Sequence, residues 1–392
     1  MKFSVSNKVY AHIDCNSFFA SCEVLREPSL AGKCVCVGNE IIIAATYEAK
    51  KLGIKTGTPI WEAKAILGER GTFLSPDHIW YSEVSKMFMD FLRENSMEIQ
   101  IFSIDEAFID ITGLDKLYKK SYSEFAHDFK ERIKNEIGIS VSIGVSNTRI
   151  RAKIFSEINK PFGEFIGLTD IEVEDIFMKL SISDIPFIGR KLQEKLKYLA
   201  KTVDDYRKLP FWQLKELIGK NATDLWLELN GVDTLKRIGG EGEMKSISRT
   251  RSFNREMTTD KDKIWFKLIS NFEMAYSELM KNNFEIRSIG LYFRDKQMRK
   301  YLYEGKFEEY TNSKKMLLDS LKKIFDHHFT EGIIYRSTGV VFSNFQKTTP
   351  KQLSLFQSNN EIYDKNKKIA ESIADINNRF GKSMITIGSN LK

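Results

Sequence analysis

The chain has 392 residues, too many for one compact core and enough for two to four domains. Hydrophobic residues make up 42% and charged residues 29%, an ordinary globular mix, and no stretch approaches the roughly 18–20 apolar residues that span a bilayer. Lys+Arg 60 against Asp+Glu 53 leaves a net charge of +7, which permits a polyanionic partner without requiring one. The opening MKFSVSNKVYAHID is polar where a secretory leader needs an apolar run, so the expected location is the cytoplasm.

In chain order, 8–14 reads as a strand ending on Asp14, and 16–25 as a helix capped by Asn16 or Ser17. Apolar runs at 33–37 and 41–45 flank Gly38-Asn39, a hairpin signal. All four cysteines (Cys15, Cys22, Cys34, Cys36) lie in the first tenth of the chain. Cys34 and Cys36, alternating with valine, are expected on one sheet face as small hydrophobes, since the spacing and His pair of a zinc site are missing. Short helices are expected at 47–52, stopped by Gly53, and at 60–67, after Pro59. A longer one covers 80–94. Strands at 98–104 and 107–111 meet at Asp105-Glu106, followed by helix 122–137, strand 140–146 and helix 149–159. This alternation predicts an α/β (α+β) layer with a small appended lobe.

From 171 to 238 the pattern turns helical, and Gly239–Met244 (GGEGEM) reads as a joint. Residues 247–346 mix strands with two long helices, 264–281 and 313–327. They hold Lys+Arg 18 against Asp+Glu 13, five of the seven excess positive charges. A faint repeat sets Ile286–Phe293 (IRSIGLYF) beside Tyr335–Phe342 (YRSTGVVF), as a doubled β-α-β unit would. Residues 347–392 are polar and are expected to be an unpacked tail.

The sharpest chemistry lies in Ser103-Ile104-Asp105-Glu106-Ala107-Phe108. Acids at a hairpin turn are ordinarily solvated, but these sit between apolar flanks, and Asp14 ends another strand. Should those strands be neighbours, three carboxylates converge, and like charges so close disfavour joint ionisation unless a cation joins them. Oxygen-only ligands with open positions suit Mg²⁺ shared with substrate phosphates.

Five ordered blocks carry a resemblance: DCNSFFASCE from Asp14, TYEAKKLG from Thr46, SIDEAF, SIGVS from Ser142, and Asn159-Lys160-Pro161. In order and spacing they resemble Y-family (UmuC/DinB-type) translesion DNA polymerases, over about 8–346. The resemblance implies a right-hand polymerase: palm at 1–17 and 84–170, fingers at 18–83, thumb at 171–238, linker at 239–246, a β-α-β little finger binding DNA at 247–346, and a tail from 347. It implies a low-fidelity, template-directed DNA polymerase without proofreading, acting in DNA repair and the SOS response to DNA damage. Two Mg²⁺ ions, replaceable by Mn²⁺, would be held by Asp14, Asp105, Glu106 and the Cys15 backbone carbonyl, with Asp105 and Glu106 catalytic.

By the same resemblance Phe19 is the steric gate against a 2′-hydroxyl, and Phe18, Tyr47, Lys50 and Lys160 bind the dNTP. Gly57 leaves room beside the nascent base pair. Lys50 stands where many relatives have Arg, exchanging a bidentate fork for a point charge, and Ala44 stands where DinB-like enzymes often carry a hydroxyl. Gly189 and Arg190, expected to bind DNA, lie in a turn over Asp184–Lys191 that resembles a helix-hairpin-helix, with Phe187 in place of its first Gly. Arg249, Arg251, Arg287 and Arg336, at strand starts, are expected along the DNA phosphates. Gln352-Leu353-Ser354-Leu355-Phe356 matches the peptide by which bacterial polymerases dock on the sliding clamp. The expected partners are therefore primer–template DNA, dNTP and that clamp, for a monomer with no membrane. A nucleotidyl cyclase on a similar palm needs neither basic annex nor clamp peptide, and a non-catalytic clamp-associated factor needs no acids.

Overall fold

The structure, a computed structural model, describes residues 6–234, 244–253 and 256–348. The chain divides into two compact units, Met1–Gly242 and Glu243–Lys392. Among the described residues no helix is long and apolar enough to cross a membrane.

In the first unit β1 (Tyr10–Cys15) leads into α1 (Phe18–Arg26). A small lobe follows, made of β2 (Cys34–Val37), β3 (Ala44–Ala45), α2 (Tyr47–Lys51), α3 (Ile60–Leu67) and β4 (Gly71–Leu74). Then come α4 (His78–Glu94), β5 (Ile99–Ile101), β6 (Glu106–Asp110), α5 (Leu114–Tyr118) and α6 (Tyr122–Ile137). β7 (Val141–Ser146), α7 (Arg149–Ile158) and β8 (Glu164–Gly167) complete the main layer. Among the described residues the unit continues with α8 (Asp170–Phe177), α9 (Arg190–Leu196), α10 (Val203–Lys208), α11 (Phe211–Leu217) and α12 (Lys220–Leu229).

The main sheet runs β5-β6-β1-β7-β8, with β1 at its centre and antiparallel to both β6 and β7. Alternation on β1 sorts its side chains. Ala11, Ile13 and Cys15 enter the core shared with Tyr81 and Phe88 of α4 and Phe129 of α6. Tyr10, His12 and Asp14 point the other way, where His12 meets Ser156 of α7. Local signals agree with the helices that hold this layer. Ser121 and Glu124 form a capping box on α6, which ends at Gly138, and the Thr148 side chain caps α7.

The small lobe pairs β2 antiparallel with β3 and parallel with β4, over a core of Cys36, Ile42, Ala45, Ala49, Ile54, Ala63 and Leu67. The expected hairpin partner at 41–45 is reduced to two residues. Cys36 is buried, Cys34 half-buried, and all four cysteines are free. β4, β8 and α5 carried no expectation, because elements of four or five residues show too little periodicity.

The second unit contains β9 (Ser246–Ser252), α13 (Lys261–Lys281), β10 (Phe284–Asp295), β11 (Lys300–Thr311), α14 (Lys314–His328) and β12 (Tyr335–Lys347). Its order is β-α-β-β-α-β, and the repeated segments become β10 and β12, which pair antiparallel. The sheet order is β11-β10-β12-β9, with Leu268 and Phe272 of α13 and Leu321 and Phe325 of α14 packed in one core. β12 continues to Lys347, one residue into the expected tail.

One close approach fixes how α7 lies on the sheet. A Cβ on Gly144 of β7 would stand 2.1 Å from the Ala152 carbonyl oxygen and 2.2 Å from the Ser156 amide nitrogen. Backbone atoms of a packed helix yield little, and overpacking costs about 1–3 kcal/mol or more. Gly144→Ala is therefore expected to lower the melting temperature by at least roughly 2 °C, read by circular dichroism.

Candidate active site

The acidic positions meet through backbone pairing. Asp14, on β1, is the register partner of Glu106, the first residue of β6. The Cys15 amide donates to the Asp105 carbonyl at 2.9 Å. Positions 14, 105 and 106 thus lie at one end of the central strands, with Asp14 and Glu106 on the face toward α7.

α7 and the loop after it bring cations to that face. Lys153 is ion-paired with Glu106. Lys160 Nζ donates to Asp14 Oδ1 at 2.7 Å and to Glu157 Oε1 at 2.6 Å. Asp105 Oδ1 accepts from the Ser103 hydroxyl at 2.5 Å. Each acid therefore has a partner of its own, and among the described residues no three His, Cys, Asp or Glu side chains form a ready metal cluster. The donor chemistry nevertheless suits a hard divalent ion, with three carboxylates on adjacent strand positions. Such an ion would compete with Lys153 and Lys160 for the same oxygens.

Beneath the acids lies His12, fully buried, its Nε2 2.9 Å from Glu106 Oε2 and its Nδ1 2.8 Å from Ser156 Oγ. The Ser156 hydroxyl donates to the Lys153 carbonyl at 2.8 Å. Burial drives the imidazole down to about 4, so it is neutral at pH 7. Burial would raise Glu106, but His12 and Lys153 outweigh it and hold the carboxyl at about 2. Burial lifts Asp14 to about 6 against the opposing Lys160 ammonium, and also pushes Asp105 up against the Ser103 hydroxyl.

A second group of polar atoms collects at the start of α1. Ser17, its N-cap, has a left-handed φ of 49°. The helix's first N–H groups lack intrahelical partners there. Lys50 Nζ donates to Ser17 Oγ at 2.7 Å and sits 4.4 Å from the centroid of the Tyr47 ring, one turn away on α2. Asn16 accepts from Ser142 at 2.9 Å and from the Tyr47 hydroxyl at 3.5 Å. Burial and Lys160 lower the Lys50 ammonium. Tyr47, Lys50, Lys160 and Asp14 are within electrostatic reach of one another.

The adjacent phenylalanines separate. Phe18 is 3% exposed in the main core, so its side chain cannot touch a ligand and only its backbone remains for one. Phe19 is half-buried, with its ring stacked on Tyr81 of α4 at 4.5 Å and 17° and edge-on to His78 at 5.9 Å. The Tyr81 hydroxyl donates to the buried Glu23 carboxylate at 2.6 Å, fixing the supporting ring.

Gly57 has φ +93° with open space around a would-be Cβ. Backbone conformation, not crowding by other protein atoms, thus demands the glycine. Ala44 is the first of the two β3 residues. Phe187, standing where the turn motif has its first Gly, adopts φ 70°, the conformation that glycine would take. It is exposed, beside exposed Gly189 and Arg190 at the start of α9.

The second unit corrects one expectation. On β9, Arg249 and Arg251 share a face with buried Ile247 and so turn toward α13 rather than along the open sheet. Arg249 is paired with Glu278, and Arg251 Nη1 donates to Ser270 at 3.4 Å. Arg287 lies exposed at the β10 irregularity, its Nε donating to the Phe307 carbonyl, and Arg336 is half-buried on β12. The open face of β9 instead offers Ser246, Ser248, Thr250 and Ser252. Gln352, Leu353, Leu355 and Phe356 lie outside the described residues.

His12 and Lys153 carried no expected role, and Ser17 was expected only as the helix cap it proves to be. The signals for the first two were present. His12 is two residues before Asp14 on a strand, and Lys153 precedes Lys160 by seven residues, about two helical turns.

The model of the impB/mucB/samB family matches residues 13–157, and that of its C-terminal domain matches 244–355. A DNA polymerase IV of Oceanobacillus iheyensis is 28% identical, covering 98% of this chain and 92% of its own. One from Fusobacterium nucleatum subsp. nucleatum is 30% identical, covering 89% and 98%. Among solved structures, a Y-family DNA polymerase chimera aligns with a TM-score of 0.71 at 24% identity, over 87% of this chain and 100% of that one.

Because the fold raises the Asp14 carboxyl from 3.8 to about 6, its ionisation opposes folding, and its contribution to stability falls as pH rises through that window. Lys160→Met removes the opposing ammonium and is expected to raise the carboxyl further. A ¹³C titration of labelled Asp in protein stripped of divalent ions checks it; an unmoved midpoint would dissociate the pair.

Proposed function

The chain belongs to the impB/mucB/samB family, the Y-family DNA polymerases, and on that premise we propose that it is a low-stringency, template-directed DNA polymerase of translesion synthesis and repair, working through the residues around Asp14. Its substrates are primer–template DNA and deoxynucleoside triphosphates. The reading is carried by the β1–β6 pairing that sets Asp14 across from Glu106 beside Asp105.

In this reading Asp14, Asp105, Glu106 and the Cys15 carbonyl hold the divalent ions, two Mg²⁺ or Mn²⁺ in their place. Once bound, the ions supply Lewis-acid stabilisation of the attacking 3′-oxygen and the leaving pyrophosphate. Lys160, Lys50, Tyr47 and Ser17 receive the triphosphate, their cations offsetting the charge that grows on the leaving group. Lys50 does so as a point charge on Ser17 rather than as a planar fork. The Phe19 ring, backed by Tyr81, walls the sugar at its 2′ position. Phe18 contributes backbone alone, and Gly57 keeps the base-pair side open.

The segment 171–238, which holds nearly all of α8 and the whole of α9 to α12, acts as the thumb, holding the duplex through backbone at Gly189 and through Arg190. The second unit is the little finger. Its open face, with the β9 hydroxyls and the exposed Lys300 and Lys306 of β11, suits a phosphate backbone better than Arg249 and Arg251 do. Gln352–Phe356 is the clamp-docking peptide of a monomer acting in the cytoplasm during the SOS response. A non-catalytic DNA-binding factor would have no use for three acids matched by two lysines.

In primer extension with Mg²⁺ and one dNTP at a time, Asp105→Ala is expected to lose at least about 10²–10³-fold in rate. Equal extension by parent and variant would remove Asp105 from the mechanism. Phe19→Ala is expected to raise ribonucleotide over deoxyribonucleotide incorporation by at least about tenfold, scored on the same primer with rNTPs. Unchanged sugar selectivity would place the gate elsewhere.

A further inference from the structure

Lys130 lies on the buried face of α6, 6% exposed, and has no part in the chemistry above. Its ammonium donates to the Phe162 carbonyl at 2.9 Å, is ion-paired with the Glu164 carboxylate, and sits 4.6 Å from the Phe162 ring centroid. Phe162 belongs to the short connection from α7 to β8 that also carries Lys160. That connection is unusual, with Phe162 at φ 58°, a conformation that side chains rarely adopt and that surrounding contacts must hold. Its far end is tied down by strand pairing, the Ile143 amide donating to the Gly163 carbonyl at 3.0 Å. Asn159 Nδ2 closes the loop on the Glu164 carbonyl at 2.9 Å. Lys130 holds the bend itself, from the opposite side to the site.

From this geometry we propose that Lys130 is a positioning residue for Lys160, fixing from inside the protein where the triphosphate-binding ammonium stands. The inference rests on the triphosphate reading of Lys160. A buried ammonium shared by a carbonyl and a carboxylate cannot be deleted quietly. Its loss leaves Glu164 facing the Phe162 carbonyl without a cation between them, and the bend relaxes. Because Lys160 is two residues away on the same loop, its reach to Asp14 shifts, and small displacements of a positioned group weaken binding steeply.

The test measures dNTP affinity on a 3′-dideoxy-terminated primer–template with divalent cation, where no turnover occurs, alongside KM and kcat on an extendable primer. Lys130→Met is expected to weaken dNTP affinity about tenfold and to lower kcat with it, primer–template affinity staying within about twofold, and Lys130→Arg, which keeps the cation, to recover most of both. In the Lys160→Met background, Lys130→Met is expected to add little, because the two act as one unit. Should Lys130→Met not fold, Lys130→Gln is read in the same cycle. Unchanged dNTP affinity, or a full additional loss on top of Lys160→Met, would overturn the proposal. If Lys160→Met itself leaves dNTP affinity unchanged, the triphosphate role of Lys160 falls first; if Lys160→Met weakens it and Lys130→Met does not, only the role of Lys130 falls.

Discussion

The central strand β1 is the constraint on which the site depends. It is paired on both sides, so its register is fixed by β6 and β7 together, and a slip of one residue would exchange its two faces. Ala11, Ile13 and Cys15 are committed to the apolar core. Their burial leaves His12 and Asp14 on the face toward α7, and β6 answers with Glu106 on the same side. Apolar packing on one face of the sheet thereby places the charged groups on the other.

That second face works because α7 supplies what buried acids need. Gly144 lets the helix approach β7 closely. The approach delivers Ser156 to His12, Lys153 to Glu106 and, just past the helix end, Lys160 to Asp14. Without these cations, three carboxylates removed from water would repel one another and take up protons. Lysines of this kind also keep the acids charged and available for a divalent ion that shares their oxygens.

The start of α1, proposed to receive the nucleotide, is built on a different principle. It presents unpaired N–H groups, and the small lobe lays Tyr47 and Lys50 over it. Phe19 leans on Tyr81, and Tyr81 on Glu23, so the Phe19 ring is braced by the same core that carries the sheet. In the second unit the division of faces is again decided by apolar residues. Ile247 goes to the core and takes Arg249 and Arg251 with it, leaving hydroxyl groups on the open side.

Much of this was legible in the residues alone. The long helices at α4, α6, α7, α13 and α14, the strand that carries Asp14 and the one that follows Asp105-Glu106, and the doubled β-α-β unit follow from periodicity and caps, which are local. The ordered blocks from DCNSFFASCE to Asn159-Lys160-Pro161 identified the family for the same reason, since motifs are linear. What needed the tertiary structure was every relation across the chain. The strand neighbours that bring Asp14 to Glu106, the lysines that neutralise them, the burial of Phe18 against the exposure of its neighbour, and the turning of Arg249 and Arg251 toward a helix all depend on which faces are buried. A face is defined by what packs against it, and that partner lies tens to hundreds of residues away in sequence.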